Sequence, residues 1–187
     1  MDRVVVIIPT IKGREESLAR TVRAYEETSP DAELIIIHDK PTCGVAWQEG
    51  SEQAGKFDYI HFTADDLVPH PGWLEAAKEI VAMGGVPAPI LLTADGQVVG
   101  STGETGSQAS MTVIPFCSYD QWQKIGPMVP WHYYTDNYFT DKAKQNGWES
   151  LYHTEYKFTH YFAQEGRGAG MTEPDRMHHD YNLYRGI

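Results

Sequence analysis

The chain has 187 residues, 41% of them hydrophobic, which is enough for one well-packed domain and too few for two cores joined by a linker. Fifteen Lys+Arg against 26 Asp+Glu give a formal charge of -11, which opposes the counterion release behind most nucleic-acid binding and excludes duplex DNA or RNA as the expected partner. An acidic chain that handles phosphorylated ligands needs a cation or a local basic patch to offset repulsion.

The first apolar run, Val4 to Ile8, is far shorter than a signal-peptide core or a membrane span, and a cytoplasmic location is the expectation. It is β-branched throughout and closed by Pro9, the pattern of a strand buried on both faces of a parallel sheet. Leu18, Val22 and Tyr25 then recur at helical spacing, and Ser29-Pro30-Asp31 breaks that helix. Leu34 to Ile37 makes a second buried strand ending at His38-Asp39, so the opening reads as a βαβ unit.

Tyr59 to Phe62 predicts a third strand, and Pro71 opens a helix with Trp73, Leu74, Ala77, Ile80 and Val81 on its apolar side, ended by Gly84-Gly85. Ile90 to Thr93 and Gln97 to Val99 flank Asp95-Gly96, a hairpin signal that predicts a mixed sheet. Gly100 to Gly106 reads as a loop, Met111 to Phe116 as extended chain. Ser118-x-x-Gln121 fits a capping box for a short helix ending at Gly126. A further helix is predicted from about Asp136 to Asn146, with Phe139 and Ala143 inward and Gly147 after its end. Residues 163–187 are polar and rich in Gly and Tyr, a tail or flap. Cys43 and Cys117 lack any paired spacing and are expected as free thiols.

In open α/β sheets ligands bind beyond the carboxyl ends of the strands, which singles out Pro9-Thr10, His38-Asp39 and Thr63-Ala64-Asp65-Asp66. Two adjacent acids after a buried strand repel unless a cation or protons compensate them, and Mg²⁺ or Mn²⁺ is the economical cation. Placed before a helix, the same acids also serve as a polar turn that complements the helix dipole.

The order of the segments VVVIIPTIKGR, ELIIIHD, GVAWQEGSEQAGKFDYIHFTADDLVPHPGWL, YDQWQKIGPMVPWHYYTDNYFTDKAKQNGWE and FTH resembles the family 2 glycosyltransferases over roughly residues 4–160. The resemblance implies a single GT-A domain, an α/β fold with a Rossmann-like mixed sheet, over 1–162. Its nucleotide-binding half would be about 1–92, its acceptor half about 93–162, and 163–187 would form the tail. It implies a nucleotide-sugar donor, typically a UDP-sugar, a Mn²⁺ or Mg²⁺ cofactor, and transfer with inversion to a glycan, lipid or protein acceptor. The short length and the run from ADD to PGWL are similar to small bacterial and phage-encoded members, for which host cytoplasm is the expected place.

Residue by residue, the resemblance gives Pro9 and Thr10 to the nucleotide pocket, sets Arg14 near it, and makes Asp39 an acceptor for the base. Asp65, Asp66 and His160 become the metal candidates, with Asp65 also facing the nucleotide. Asp136 becomes the general base, and Trp131, His132 and Tyr134 the sugar or acceptor pocket, where aromatic faces stack on sugar C–H surfaces. Thr63 and Thr135 stand where the family carries acids, and HDKP replaces its usual DDGS turn. Those departures keep a second reading open, an inactive domain that binds nucleotide or acts as a scaffold. A third, nucleotidylyl transfer, needs a Gly-rich, Arg-containing signature that PTIKGREE lacks.

Overall fold

A computed structural model describes residues 2–161 and 173–186. At its centre β1 (Val4–Thr10) pairs in parallel with β2 (Glu33–His38) on one side and β3 (Tyr59–Phe62) on the other. Val5 and Ile7 enter one apolar cluster while Val4, Val6 and Ile8 enter another, so β1 is buried on both faces, as its uninterrupted apolar run predicts. The strand extends beyond the expected Pro9 stop. Pairing with β3 ends at Ile7, so Pro9 lies where β1 keeps only β2 beside it and a missing N–H is tolerated.

Helix α1 (Glu15–Thr28) covers one face through Leu18, Val22 and fully buried Tyr25. The other face is covered by α2 (Cys43–Ala54), a helix the sequence reading did not find. Its N-cap Thr42 accepts from the Val45 N–H at 3.1 Å, and Trp47 and Ala54 join the core. Antiparallel β7 (Phe116–Ser118) completes a first sheet of order β2-β1-β3-β7.

The second sheet has the order β4-β8-β5-β6, from β4 (Leu67–Pro69), β5 (Val86–Leu92), β6 (Val98–Val99) and β8 (Ser150–His160). The Asp95-Gly96 hairpin forms as expected, with Leu91 opposite Val99 and Leu92 opposite Val98. Both sheets are mixed. Helix α3 (Trp73–Ala82) starts two residues after Pro71 because Gly72, with φ 86°, takes the N-cap. Ser118 forms the predicted capping box at the head of α4 (Tyr119–Ile125). Of the expected extended run 111–116 only Phe116 enters a strand. Helix α5 (Thr135–Gln145) buries Phe139 and Ala143, as predicted. The expected tail lies partly outside the described residues, but its last part forms α6 (Glu173–Arg185). Cys43 and Cys117 are free.

Candidate active site

Three parallel strands release their chain ends at one edge of the first sheet, and the singled-out acids follow one of them. Thr63 leaves β3 with its N–H donated to the Ile7 carbonyl at 3.1 Å and its own carbonyl held by the Trp47 indole at 2.9 Å. Asp65 is 4% exposed. Its carbonyl accepts from Ser17 Oγ at 2.6 Å and Thr21 Oγ1 at 2.8 Å, one helical turn apart on α1, and its Oδ2 accepts from Thr10 Oγ1 at 2.6 Å. Polar residues at buried positions of α1 thus exist to hold Asp65. Hydrophobic periodicity carries no sign of that role.

Arg14, the residue before α1, brings Nη2 to 3.1 Å from Asp65 Oδ1 and 3.1 Å from Asp66 Oδ2. His160, the last residue of β8, sets Nε2 3.5 Å from the same Asp66 oxygen. Burial raises the Asp66 carboxyl, but His160 and then Arg14 more than offset it and hold the group below the usual carboxylate range. Tyr161 donates its N–H to the Asp66 carbonyl at 3.0 Å and lies 3.9 Å from the Arg20 guanidinium, which fixes the end of β8 against this corner. Arg14, Asp65, Asp66 and His160, expected separately for nucleotide and metal, therefore meet.

Mn²⁺ or Mg²⁺ demands oxygen ligands converging on one point. Here a guanidinium lies between the two carboxylates, Thr10 takes a further Asp65 oxygen, and among the described residues no group of three His, Cys, Asp or Glu is disposed to hold a metal ion. In this arrangement the residues do not fit a divalent ion.

Of the residues expected at the nucleotide, Thr10 and Asp39 line one hollow with Ile11, Lys12, Glu15, Leu18 and His38. Asp39 has φ 54°, a left-handed conformation uncommon outside glycine, and its Oδ1 accepts from the Lys12 N–H at 2.8 Å. Pro9 is partly buried just behind this hollow.

Asp136 sits in the first turn of α5, where Oδ1 accepts from the Asn137 N–H at 2.9 Å. Burial lifts its carboxyl from the ordinary 3.8 to about 6, against the downward pull of the backbone N–H groups. The Cys43 thiol, at the start of α2, is pushed up by burial and then by the charges of Asp136, Asp66 and Asp65. All three carboxylates thus act on the one Cys43 thiol.

The aromatic run before α5 divides. Trp131 is 7% exposed, with its ring edge-on to Tyr138 and Tyr184, so it packs the wall. His132 is exposed, and Tyr134, at φ 64°, stacks on Tyr184 with ring centroids 5.5 Å apart. Tyr184 comes from α6, in the segment to which the sequence assigned no function. Asp180 is buried and accepts the N–H groups of His132 and Tyr133, each at 3.0 Å, while Tyr184 donates to Asp141 Oδ2 at 2.5 Å. Burial raises the Asp180 carboxyl, but those N–H groups and His179 outweigh it and keep the group below its usual value. The His178-His179-Asp180 run is the one signal in the sequence that points to this anchor.

No protein-family model and no curated protein matches the chain. Among solved structures it is similar to GalNAc-T7 with UDP, GalNAc and Mn²⁺, at TM-score 0.72 and 10% identity over 97% of this chain and 48% of that one. It is similar also to S. aureus TarS, at TM-score 0.67 and 12% identity over 86% of this chain and 37% of that one. For TarS 1–349 the values are 0.68, 12%, 85% and 60%. The chain thus spans less than two thirds of the length of each. Two mixed sheets with their flanking helices, matched to these neighbours, give the chain a GT-A glycosyltransferase-like fold.

Proposed function

We propose that this chain is a glycosyltransferase that moves a sugar from a nucleotide-sugar donor, a UDP-sugar first, to an acceptor hydroxyl with inversion, and that Asp136 is its base. The observation that carries the reading is a carboxyl raised by burial to about 6 at the head of α5, in a chain whose fold is that of the GT-A neighbours. A base with that affinity is ionised at neutral pH yet still strong enough to take a proton. It would accept the acceptor hydroxyl proton as that oxygen bonds to the anomeric carbon. The bond from that carbon to the diphosphate breaks on the opposite face, and the nucleoside diphosphate leaves with the electron pair. The hollow beside Thr10, Lys12 and Asp39 is the place for the base and ribose. His132 and Tyr134 are the residues for the acceptor side, with Trp131 as their packing support. The UDP held by GalNAc-T7 favours a uridine donor.

Mn²⁺ or Mg²⁺ at Asp65, Asp66 and His160 is the part of this reading that the observed arrangement favours least. A second reading, a nucleotide-binding module without transfer, is favoured by fully buried Thr63 and by Thr135 where acids were expected.

The deciding experiment offers UDP-, GDP- and dTDP-sugars and follows donor consumption beside thermal stabilisation, since a ligand of the folded state raises the melting temperature. Turnover that falls about 10²-fold or more in Asp136→Asn, with nucleotide binding retained, is expected. Nucleotide binding by the wild type without donor consumption establishes the module instead.

A further inference from the structure

The acidic pair already has a cation. We propose that Arg14 is the resident counter-charge of Asp65 and Asp66, occupying the place a divalent ion would take, so that the wild-type chain holds no tight Mn²⁺ or Mg²⁺ there. The inference rests on the transferase reading only for its meaning to catalysis; its geometry stands alone.

One nitrogen, Nη2, is 3.1 Å from an oxygen of each carboxylate. A divalent ion bridging the pair would use those same two oxygens, and ion and guanidinium would repel each other there. Thr10 Oγ1 engages the other oxygen of Asp65 at 2.6 Å, and His160 Nε2 lies 3.5 Å from the Asp66 oxygen that Arg14 contacts. Side-chain exposures of 19%, 6% and 15% for Arg14, Asp65 and Asp66 keep water from screening the pair as it would at the surface.

The fold sets Arg14 in this position. Gly13 turns the chain at φ 91° and donates its N–H to Glu15 at 3.0 Å, and Asp39 clamps the Lys12 N–H at 2.8 Å. Ser17 and Thr21, on the helix that Arg14 precedes, hold the Asp65 carbonyl. Both partners of the ion pair thus belong to one tightly bonded corner. A planar guanidinium suits this bridging between two carboxylates, whereas an ammonium is a single compact charge.

Within the transferase reading, the donor diphosphate then meets a guanidinium rather than a bound metal. Losing Arg14 should turn a metal-independent site into a metal-dependent one.

The test titrates Mn²⁺ by electron paramagnetic resonance into the full chain with neither donor nor acceptor present. Wild type is expected to show no saturable binding up to millimolar Mn²⁺. Arg14→Gln is expected to bind saturably at least about tenfold tighter, the scale of one charge-assisted contact removed, and Arg14→Gln with Asp65→Asn to lose that gain. Arg14→Lys should gain less, and it decides on the same readout should circular dichroism show Arg14→Gln unfolded. In chelator, UDP binding should persist in wild type, fail in Arg14→Gln and return with Mn²⁺. Saturable Mn²⁺ binding by wild type that Asp65→Asn abolishes overturns the proposal, as does no gain in Arg14→Gln. Because metal binding is read without turnover, its outcome is independent of whether the chain transfers a sugar.

Discussion

Asp136, the proposed base, is a position that costs stability. Lifting its carboxyl from 3.8 to about 6 means that, at neutral pH, folding keeps an ionised group where the protonated form is preferred. That preference amounts to a destabilisation on the order of 3 kcal/mol above pH 6. Asp136→Asn should therefore melt higher than wild type at pH 7.5, while the proposed transfer falls about 10²-fold or more. The kcat/KM of wild type should rise through about pH 6 and flatten above it, and the residual rate of the variant should lack that limb. Equal melting temperatures at pH 7.5 would remove the physical basis for calling it the base. Asp65 and Asp136 were both legible as candidates from the sequence, because one lies three residues past a recognisable strand and the other in the first turn of a recognisable helix. What Arg14 does was not: its partners lie about fifty residues on, and nothing local to IKGREE says which acids the fold will bring there.

Elements went unread where the sequence spends residues on close approach rather than periodicity. Helix α2 carries Gly44 and Gly50, which depress helix propensity and read as loop. The packing explains them. A Cβ on Gly44 would lie 1.9 Å from the Val129 carbonyl oxygen, and one on Gly50 would lie 2.3 Å from Ile7 Cγ2. Backbone cannot yield as a side-chain methyl can. Gly44→Ala should thus cost several kcal/mol, about 3 or more, and Gly50→Ala less, read as shifts of the urea midpoint at unchanged slope. Strand β8 escaped detection for another reason, since His153, Thr154 and Glu155 interrupt its alternation near the register shift against Ala88 and Ile90.

Helix α6 lacks amphipathic order, and polar contacts join the Tyr184 ring contacts in docking it. Asp180 ties it to the His132 and Tyr133 N–H groups, and Arg176 reaches the Pro41 carbonyl at 3.3 Å. Asp180→Ala leaves two donors without their acceptor, a cost of about 1–3 kcal/mol. The expected result is faster hydrogen exchange in α6 and in 131–134, together with a raised KM for the acceptor, while exchange in β1 stays slow.

Across the whole molecule, two buried groups pull acid stability in opposite directions. His61 is fully buried on β3 among Tyr25, Trp73, Phe116, Tyr156 and Phe158. A carbonyl only accepts, so Nδ1 carries the proton toward Pro115 O at 3.2 Å and Nε2 accepts from the Tyr25 hydroxyl at 3.0 Å. Burial lowers this imidazole from 6.5 to about 3, against a weaker upward pull from Pro115. Between those values the unfolded chain carries a proton on His61 that the folded chain does not, so stability falls as pH drops from 6.5. Asp136 does the reverse: from about 6 down to 3.8 the folded chain holds a proton that the unfolded one lacks, so stability rises as pH drops. From pH 6 to 4 the proton counts of these two groups oppose each other, and the carboxyls of Asp66 and Asp180, held below 3.8, lose most of their contribution beneath that window. His70 and His132, also lowered by desolvation, add to the His61 side, so wild-type unfolding free energy should fall as pH drops across 4–6, less steeply than it would without Asp136. Asp136→Asn removes the opposing group, and its profile should be steeper than that of wild type by about 1.4 kcal/mol per pH unit over the same range, the slope of a single proton. Urea titrations of both chains at pH 4, 5 and 6 measure it, and parallel profiles for the two would show that His61 and Asp136 are not the opposed pair.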